Sequence, residues 1–440
     1  MKADRKIDSA AKGYLVSTYS GKEHLPLCKD YLDELEFLAE TYGIETVCKD
    51  PCPLRKINAS TYISKGKIEA ILGNIAPTGA NLIIFDEEIS PAQQRNLEKA
   101  FGIPVIDRTE LILAVFAQRA QTKEAVLQVE LAQLKYQYPR LKRMWTHLSR
   151  QVASAGGAGA YLKGAGEKQI EIDKRLLQKR IEVLEQRLAE VAHHREIQRA
   201  ARKRSSIPVF AIVGYTNAGK STLLNALTDA DVFVEDKLFA TLDTTTRKFQ
   251  LSNKQKILLI DTVGFIRKLP HLLVASFKST LEEAAQADIL LHVIDVSHPL
   301  CELQAESSWQ VLEELNAAKK PVITVLNKVD HCENQGAVTR MRVKYPNTVP
   351  ISALNQAGFD SLEEAIVNEL SKQRKHFLLR IPQSDYAMVN EIMIHGHILK
   401  KDYQENDVLI EAEIPVALVG KVEKYVDKGG DNEDSEFTIL

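Results

Sequence analysis

Gly214-Tyr215-Thr216-Asn217-Ala218-Gly219-Lys220-Ser221 has the spacing G-x-x-x-x-G-K-S, which holds phosphate groups. Its glycines let backbone N–H groups turn inward around phosphate oxygens, beside the positive end of a helix. Lys220 is placed to reach the β- and γ-phosphates, and the Ser221 hydroxyl to ligate Mg²⁺. Further along, Asp261-Thr262-Val263-Gly264 reads D-x-x-G. Asp261 would hold Mg²⁺ through water, and the Gly264 N–H would meet the γ-phosphate. Asn327-Lys328-Val329-Asp330 reads N-K-x-D. The Asp330 carboxylate can accept both N1–H and the 2-amino group of guanine, a donor pattern adenine lacks, so GTP is expected over ATP. Ser352-Ala353, followed by Leu354, would add backbone contact to guanine O6. A switch threonine should complete the Mg²⁺ shell, and the segment 239–247 offers Thr241, Thr244, Thr245 and Thr246. Spacing does not choose among them.

Strands and helices must carry these loops. Val209-Phe210-Ala211-Ile212-Val213 is an apolar run directly before the phosphate loop, and Thr222 to Leu227 has helical spacing behind it. Ile257–Ile260, Ile289–Asp295, Val322–Leu326 and Thr348–Ile351 are further strand-like runs, each leading into a motif or a carboxylate. Parallel strands in that order put every motif along one sheet edge, where ligands bind. The unit is an α/β P-loop domain over 205–373 with a mostly parallel sheet. The residue after D-x-x-G, a glutamine in Ras-like switches, is Phe265, which cannot orient an attacking water. Intrinsic turnover is therefore expected to be slow, and to rise when a partner orders the segments around Thr241 and Phe265.

The flanking sequence predicts three more units. Residues 1–107 alternate strands (Gly13–Thr18, Asn81–Asp86, Pro104–Asp107) with an amphipathic helix at Tyr31–Leu38, a small α/β layer. Residues 108–204 carry two heptad seams: Leu127, Leu131, Leu134, Tyr138, Leu141, Trp145 and Leu148, then Leu177, Ile181, Leu184, Leu188 and Val191. They predict an antiparallel helical hairpin, with Pro139 expected to kink or break its first arm. Between the arms, five glycines fall among the eleven residues 156–166, a stretch that cannot form a helix cheaply at ~1 kcal/mol per glycine. Residues 374–440 read as a small α+β unit with Ser384 as a helix cap and a polar, disordered tail.

Charge is uneven. Arg140 to Arg204 holds 16 Lys+Arg and 7 Asp+Glu, a balance of +9, so the remainder must carry −11 for the total of −2. A basic hairpin with a glycine loop flanked by Arg150, Lys163 and Lys168 suits contact with RNA phosphates. Five scattered cysteines suggest reduced thiols, and no apolar run approaches the ~20 residues that cross a bilayer. A cytoplasmic setting is expected, with peripheral membrane attachment as the alternative, and a monomeric state.

G-Y-T-N-A-G-K-S, F-A-T-L-D (Phe239-Ala240-Thr241-Leu242-Asp243), D-T-V-G-F-I and N-K-V-D, preceded by the heptad hairpin and glycine loop, resemble the HflX family of GTPases over nearly the whole chain. The resemblance implies that Thr241 is the switch threonine and that Phe239 to Asp243 border the nucleotide. With it, Lys220, Thr241 and Gly264 become the expected catalytic groups, and Ser221 and Thr241 the Mg²⁺ ligands. It further implies binding to the large (50S) ribosomal subunit and its rRNA, splitting of stalled or idle ribosomes, and in some members ATP hydrolysis through the N-terminal unit. Related GTPases use an asparagine at the position of Asn217 to hold K⁺. The family's loop pattern G-G-x-G-x-R-G-P-G-E is altered here: Ala165 stands for the proline, Lys163 lies near the arginine, and two residues are inserted. Two other functions fit the same residues, a checkpoint factor in large-subunit assembly and an RNA-remodelling ATPase centred on 1–204.

Overall fold

The protein is described by a computed structural model covering residues 11–154, 159–204, 207–228, 238–239, 241–242, 244–268, 283–332, 335–345, 347–372, 374–404 and 406–427. The chain begins with four parallel strands, β1 (Lys12–Tyr19), β2 (Glu45–Pro53), β3 (Leu82–Phe85) and β4 (Val105–Asp107), ordered β2-β1-β3-β4. Helices α1 (Leu25–Tyr42), α2 (Lys65–Thr78) and α3 (Pro91–Phe101) connect them. The run Leu82-Ile83-Ile84-Phe85 is buried throughout, as a central parallel strand between two helical layers must be. A capping box starts α3: the Gln93 N–H donates to Ser90 Oγ while Gln93 Oε1 accepts from the Ser90 N–H. Strand β2, whose Asp50, Pro51 and Pro53 are poor strand residues, was not anticipated; it is an edge strand, where a missing donor can be tolerated.

Helix α4 (Arg108–Arg119) follows β4 at once, and α5 (Lys123–Ser154) and α6 (Gly159–Arg204) form the hairpin. Leu131, Ile181 and Leu184 make its buried seam, with Leu127, Leu134, Tyr138 and Leu188 packed around them. Two expectations are corrected. The first arm runs unbroken through Pro139, because neighbouring contacts hold the helix: Arg140 stacks 3.4 Å over the Tyr136 ring and pairs with Asp107 at 3.1 Å, and the Tyr136 hydroxyl donates to Asp107. The second arm starts at Gly159, so most of the glycine stretch is helical, while residues 155–158 lie outside the described ones. Adding residues to a nucleated helix is cheap, and a 46-residue helix absorbs a few glycines at ~1 kcal/mol each.

Six strands form the next sheet: β5 (Val209–Gly214), β6 (Thr245–Gln250), β7 (Lys256–Asp261), β8 (Ile289–Asp295), β9 (Val322–Asn327) and β10 (Thr348–Pro350). Their order is β10-β9-β8-β5-β7-β6, with β6 antiparallel to β7 and every other pairing parallel. Helix α7 (Lys220–Thr228) leaves the loop after β5, and α8 (Cys301–Glu314) follows β8. The last unit is an antiparallel sheet of β11 (Arg374–Pro382), β12 (His397–Gln404) and β13 (Asp407–Pro415), ordered β11-β13-β12. Here Asp385, not Ser384, precedes the helix Tyr386–His395; Ser384 sits inside a short 3₁₀ turn, and the Asp385 carboxylate accepts from the Tyr425 hydroxyl. The expected disordered tail from 428 onward lies outside the described residues.

One core runs from the N-terminal unit into the six-stranded sheet. Leu35, Ile112 and Phe116 belong to the same buried cluster as Ala211, Tyr215, Phe239, Leu242 and Phe265. That continuity brings the N-terminal unit against the nucleotide-loop edge.

Candidate nucleotide site

The chain leaves β5 at Gly214, turns through Asn217 with φ +60°, and enters α7 at Lys220. The second glycine of the loop, Gly219, has no room for a side chain. Its φ is +90°, and a Cβ there would lie 2.2 Å from Asn327 Nδ2, so both backbone and space demand glycine. Lys220 is buried and its Nζ donates to the Tyr215 carbonyl at 2.7 Å. Burial pushes its ammonium down to about 8, against the pull of Asp261. Burial likewise raises the Asp261 carboxyl, opposed by Lys220 and by hydrogen bonds from Ser221 and Thr241.

Ser221, Thr241 and Asp261 converge. The Ser221 and Thr241 hydroxyls are 2.7 Å apart, and each reaches Asp261 Oδ2, at 2.6 and 3.0 Å. Asp261 Oδ1 is buried and has no hydrogen-bond partner among the described residues. Two hydroxyls and a carboxylate with a spare oxygen are hard donors that fit a small divalent cation such as Mg²⁺. Thr245 and Thr246 lie in β6, and Thr244 just before it. The neighbouring Thr262 turns its hydroxyl to the Ile212 carbonyl at 2.7 Å, tying β7 to β5.

The D-x-x-G loop lies directly on the phosphate loop. A Cβ on Gly264 would come within 2.8 Å of Thr216 Cα and 2.9 Å of Lys220 Nζ. Beyond it, the Phe265 N–H donates to the Gly214 carbonyl at 3.0 Å, and the Thr216 N–H to the Phe265 carbonyl at 2.7 Å. Val263 and Phe265 are buried.

At the base end, Asn327 braces three loops. Its Nδ2 donates to the Ala218 carbonyl at 2.8 Å and its Oδ1 accepts from the Ala353 N–H at 2.9 Å. Lys328 takes φ +63° and pairs with Asp295 at 2.8 Å. Asp330 keeps an oxygen near Asn355 and His331, and the Val329 N–H meets the Ile351 carbonyl. Ser352 is buried and Leu354 is exposed.

Of the segment 239–243, Ala240 and Asp243 lie outside the described residues. Phe239 and Leu242 are buried in the shared core, and Phe239 packs edge-on against Phe116 of α4 with ring centres 4.6 Å apart. Phe239 thus faces the N-terminal unit.

The N-terminal unit also supplies charged groups that motif spacing did not reveal. The Tyr215 hydroxyl bonds Glu34 of α1 and accepts the Arg267 N–H at 2.8 Å. Arg267 pairs with Asp86 at 2.7 Å and with Glu34 at 3.1 Å, and stacks 3.6 Å over the Tyr31 ring. Arg108, nearly fully buried, joins the same two carboxylates. Burial alone would raise the Asp86 carboxyl, but Arg108, Arg267 and Lys268 hold it well below the usual carboxylate range. The only sequence signal was a buried run ending in Asp86-Glu87-Glu88.

Family models match along the chain: "GTP-binding GTPase N-terminal" over 29–117, "GTP-binding GTPase Middle Region" over 119–202, and "50S ribosome-binding GTPase" over 209–328. GTPase HflX of Chlamydia pneumoniae is 45% identical over 425 residues, covering 96% of this chain and 89% of that protein. GTPase HflX of Escherichia coli is 41% identical, covering 94% and 95%. A crystal structure of a GTP-binding protein from Sulfolobus solfataricus in complex with GDP is 26% identical, with a TM-score of 0.44, over 82% of this chain and 99% of that one. Relatives of this identity aligned over almost the full length of both chains leave one assignment: the chain belongs to the HflX family of GTPases.

Proposed function

We propose that this GTPase binds the large ribosomal subunit through its basic hairpin and splits stalled or idle ribosomes under the control of GTP. The observation that carries the reading is the continuity from hairpin to nucleotide loops. Arg140 on α5 grips Asp107 at the end of β4, and the unit to which β4 belongs touches both Phe239 and Arg267 beside the phosphate site. Subunit contact at the hairpin would thus be felt at the residues that flank GTP. The family model for a 50S ribosome-binding GTPase and the local charge of +9 support the same partner.

In this reading Lys220 meets the β- and γ-phosphates, and Ser221 and Thr241 hold Mg²⁺ with Asp261 behind them. Mg²⁺, when bound, neutralises charge on the phosphate oxygens. The Gly264 N–H meets the γ-phosphate, and Asp330 selects guanine. Phe265 supplies no polar group to the attacking water, so turnover is slow until the subunit orders the switch segments. Asn217, exposed at the loop's tip, is the residue that would hold K⁺.

Gradient sedimentation of intact 70S particles with protein and GTP, or a non-hydrolysable analogue, tests the function. Free subunits should appear with both nucleotides, and binding should weaken steeply with salt as phosphate contacts release counterions. Particles that stay intact while the protein cosediments with large subunits would support the assembly-factor reading instead. Single-turnover hydrolysis in potassium and in sodium, with and without large subunits, tests activation; equal rates with and without subunits would refute it.

A further inference from the structure

Both walls of the phosphate site are fastened to the N-terminal unit at one carboxylate. Glu34, on α1, accepts from the hydroxyl of Tyr215, the second residue of the phosphate loop. It also pairs with Arg267, three residues beyond Gly264 of D-x-x-G. The same Tyr215 hydroxyl accepts the Arg267 backbone N–H, so loop, switch segment and Glu34 close a small ring of contacts. Around it, Arg108 joins Glu34 to Asp86, and Asp86 in turn pairs with Arg267 and Lys268. Glu34 and Arg267 are about nine-tenths buried, with side-chain exposures of 14% and 11%, while Arg108 and Asp86 are at 2% and 0%. A second fastening lies nearby, where the Leu238 N–H, ahead of Thr241, donates to Thr41 of α1 at 3.2 Å.

We propose that Glu34 is a positioning residue for GTP hydrolysis: from the N-terminal unit it fixes the phosphate loop, through Tyr215, relative to the D-x-x-G segment, through Arg267. The inference rests on the reading of 214–264 as the phosphate site. The γ-phosphate would lie between the two walls that Glu34 ties together, where the Gly264 N–H and the Lys220 ammonium must act at once. Donors held in place before the reaction need no reorganisation during it. The effect therefore falls on the chemical step more than on affinity. Phosphate and guanine contacts made by Lys220 and Asp330 do not pass through Glu34.

The test uses the full-length chain. Glu34→Gln keeps the shape but loses the charge that holds Arg267, and Tyr215→Phe removes only the shared hydroxyl. Each should lower kcat for GTP about ten-fold, well inside the roughly 10²-fold that a 1 Å misplacement can cost, with KM changed less than about three-fold. The double variant should lose little more than the worse single one, since both cut one contact ring. Glu34→Asp, shorter but charged, should recover part of the rate. Thermal unfolding run in parallel shows that each variant is folded at the assay temperature; Tyr215→Phe leaves every buried ion pair intact if Glu34→Gln is not. Wild-type kcat in folded Tyr215→Phe, a raised kcat in either variant, or additive losses in the double variant would overturn the proposal. Failure of the underlying reading is visible separately, as a Lys220→Ala variant that binds a fluorescent GTP analogue as tightly as wild type.

Discussion

Replacing Asn327 by alanine should loosen three loops at once. The side chain is 2% exposed and makes two hydrogen bonds, from Nδ2 to the Ala218 carbonyl at 2.8 Å and at Oδ1 from the Ala353 N–H at 2.9 Å. Alanine leaves a buried carbonyl and a buried N–H unpaired, each worth ~1–3 kcal/mol, so the total is about 2–6 kcal/mol. Water entering the space left by the amide would draw the value toward the lower end. Part of the loss appears as stability and part as nucleotide affinity, because the phosphate loop and the Ser352-Ala353 loop are no longer held in register. We expect a clear fall in the urea midpoint followed by intrinsic fluorescence. Titration calorimetry should show GDP and GTP binding at least ten-fold weaker, about 1.4 kcal/mol. Asn327→Asp is the sharper control. It keeps an acceptor for Ala353 but sets a carboxylate against the Ala218 carbonyl, so it should bind no better than alanine. If Asn327→Ala unfolds at the wild-type midpoint and binds GDP with wild-type affinity, the brace is not the link between the loops.

Other consequences can be measured directly. Asp330→Asn should weaken GTP binding by ten-fold or more, ~1.4 kcal/mol, and favour xanthosine nucleotides; unchanged GTP affinity by calorimetry refutes the guanine assignment. Lys220 is held at about 8 by burial, so without nucleotide its charge opposes folding at neutral pH by up to about 3 kcal/mol, a cost relieved as pH rises from about 8 toward its ordinary 10.5. Lys220→Met should therefore raise the unfolding midpoint at pH 7 while abolishing nucleotide binding, and a lowered midpoint would contradict the burial argument. His292 is fully buried between Trp309 and Tyr345, its ring nitrogens lack partners among the described residues, and burial followed by the nearby Lys220 charge pushes it down to about 4. The unfolded chain takes up that proton first, so stability should fall between pH 6.5 and 4; His292→Phe should flatten that slope in urea titrations, and an unchanged slope would assign it to other groups.

What the sequence by itself determined is mostly local in the chain. G-x-x-x-x-G-K-S, D-x-x-G and N-K-x-D each place their groups within a few residues of one strand end. A strand followed by a loop fixes that geometry before any distant contact forms. The parallel sheet was legible for the same reason, since runs such as Leu82–Phe85 and Val209–Val213 are apolar at every position, as central parallel strands are. The heptad seams likewise announced the hairpin.

Tertiary structure decided the rest, because the groups involved are far apart in sequence and each has an ordinary local reading. Glu34 is one acid on an amphipathic helix, Arg267 one base after a switch motif, and nothing in their spacing says that they meet. Phe239 packs edge-on against Phe116 of α4, and Leu242 is buried in the same shared core, neither of which their spacing in the sequence announces. Pro139 and the glycines of α6 read as breaks, yet both helices run through them. In the first case, contacts to Asp107 and Tyr136 outweigh a local preference, and in the second, helix propagation does. Local propensities differ by only ~1–3 kcal/mol, and burial against a second unit readily exceeds that.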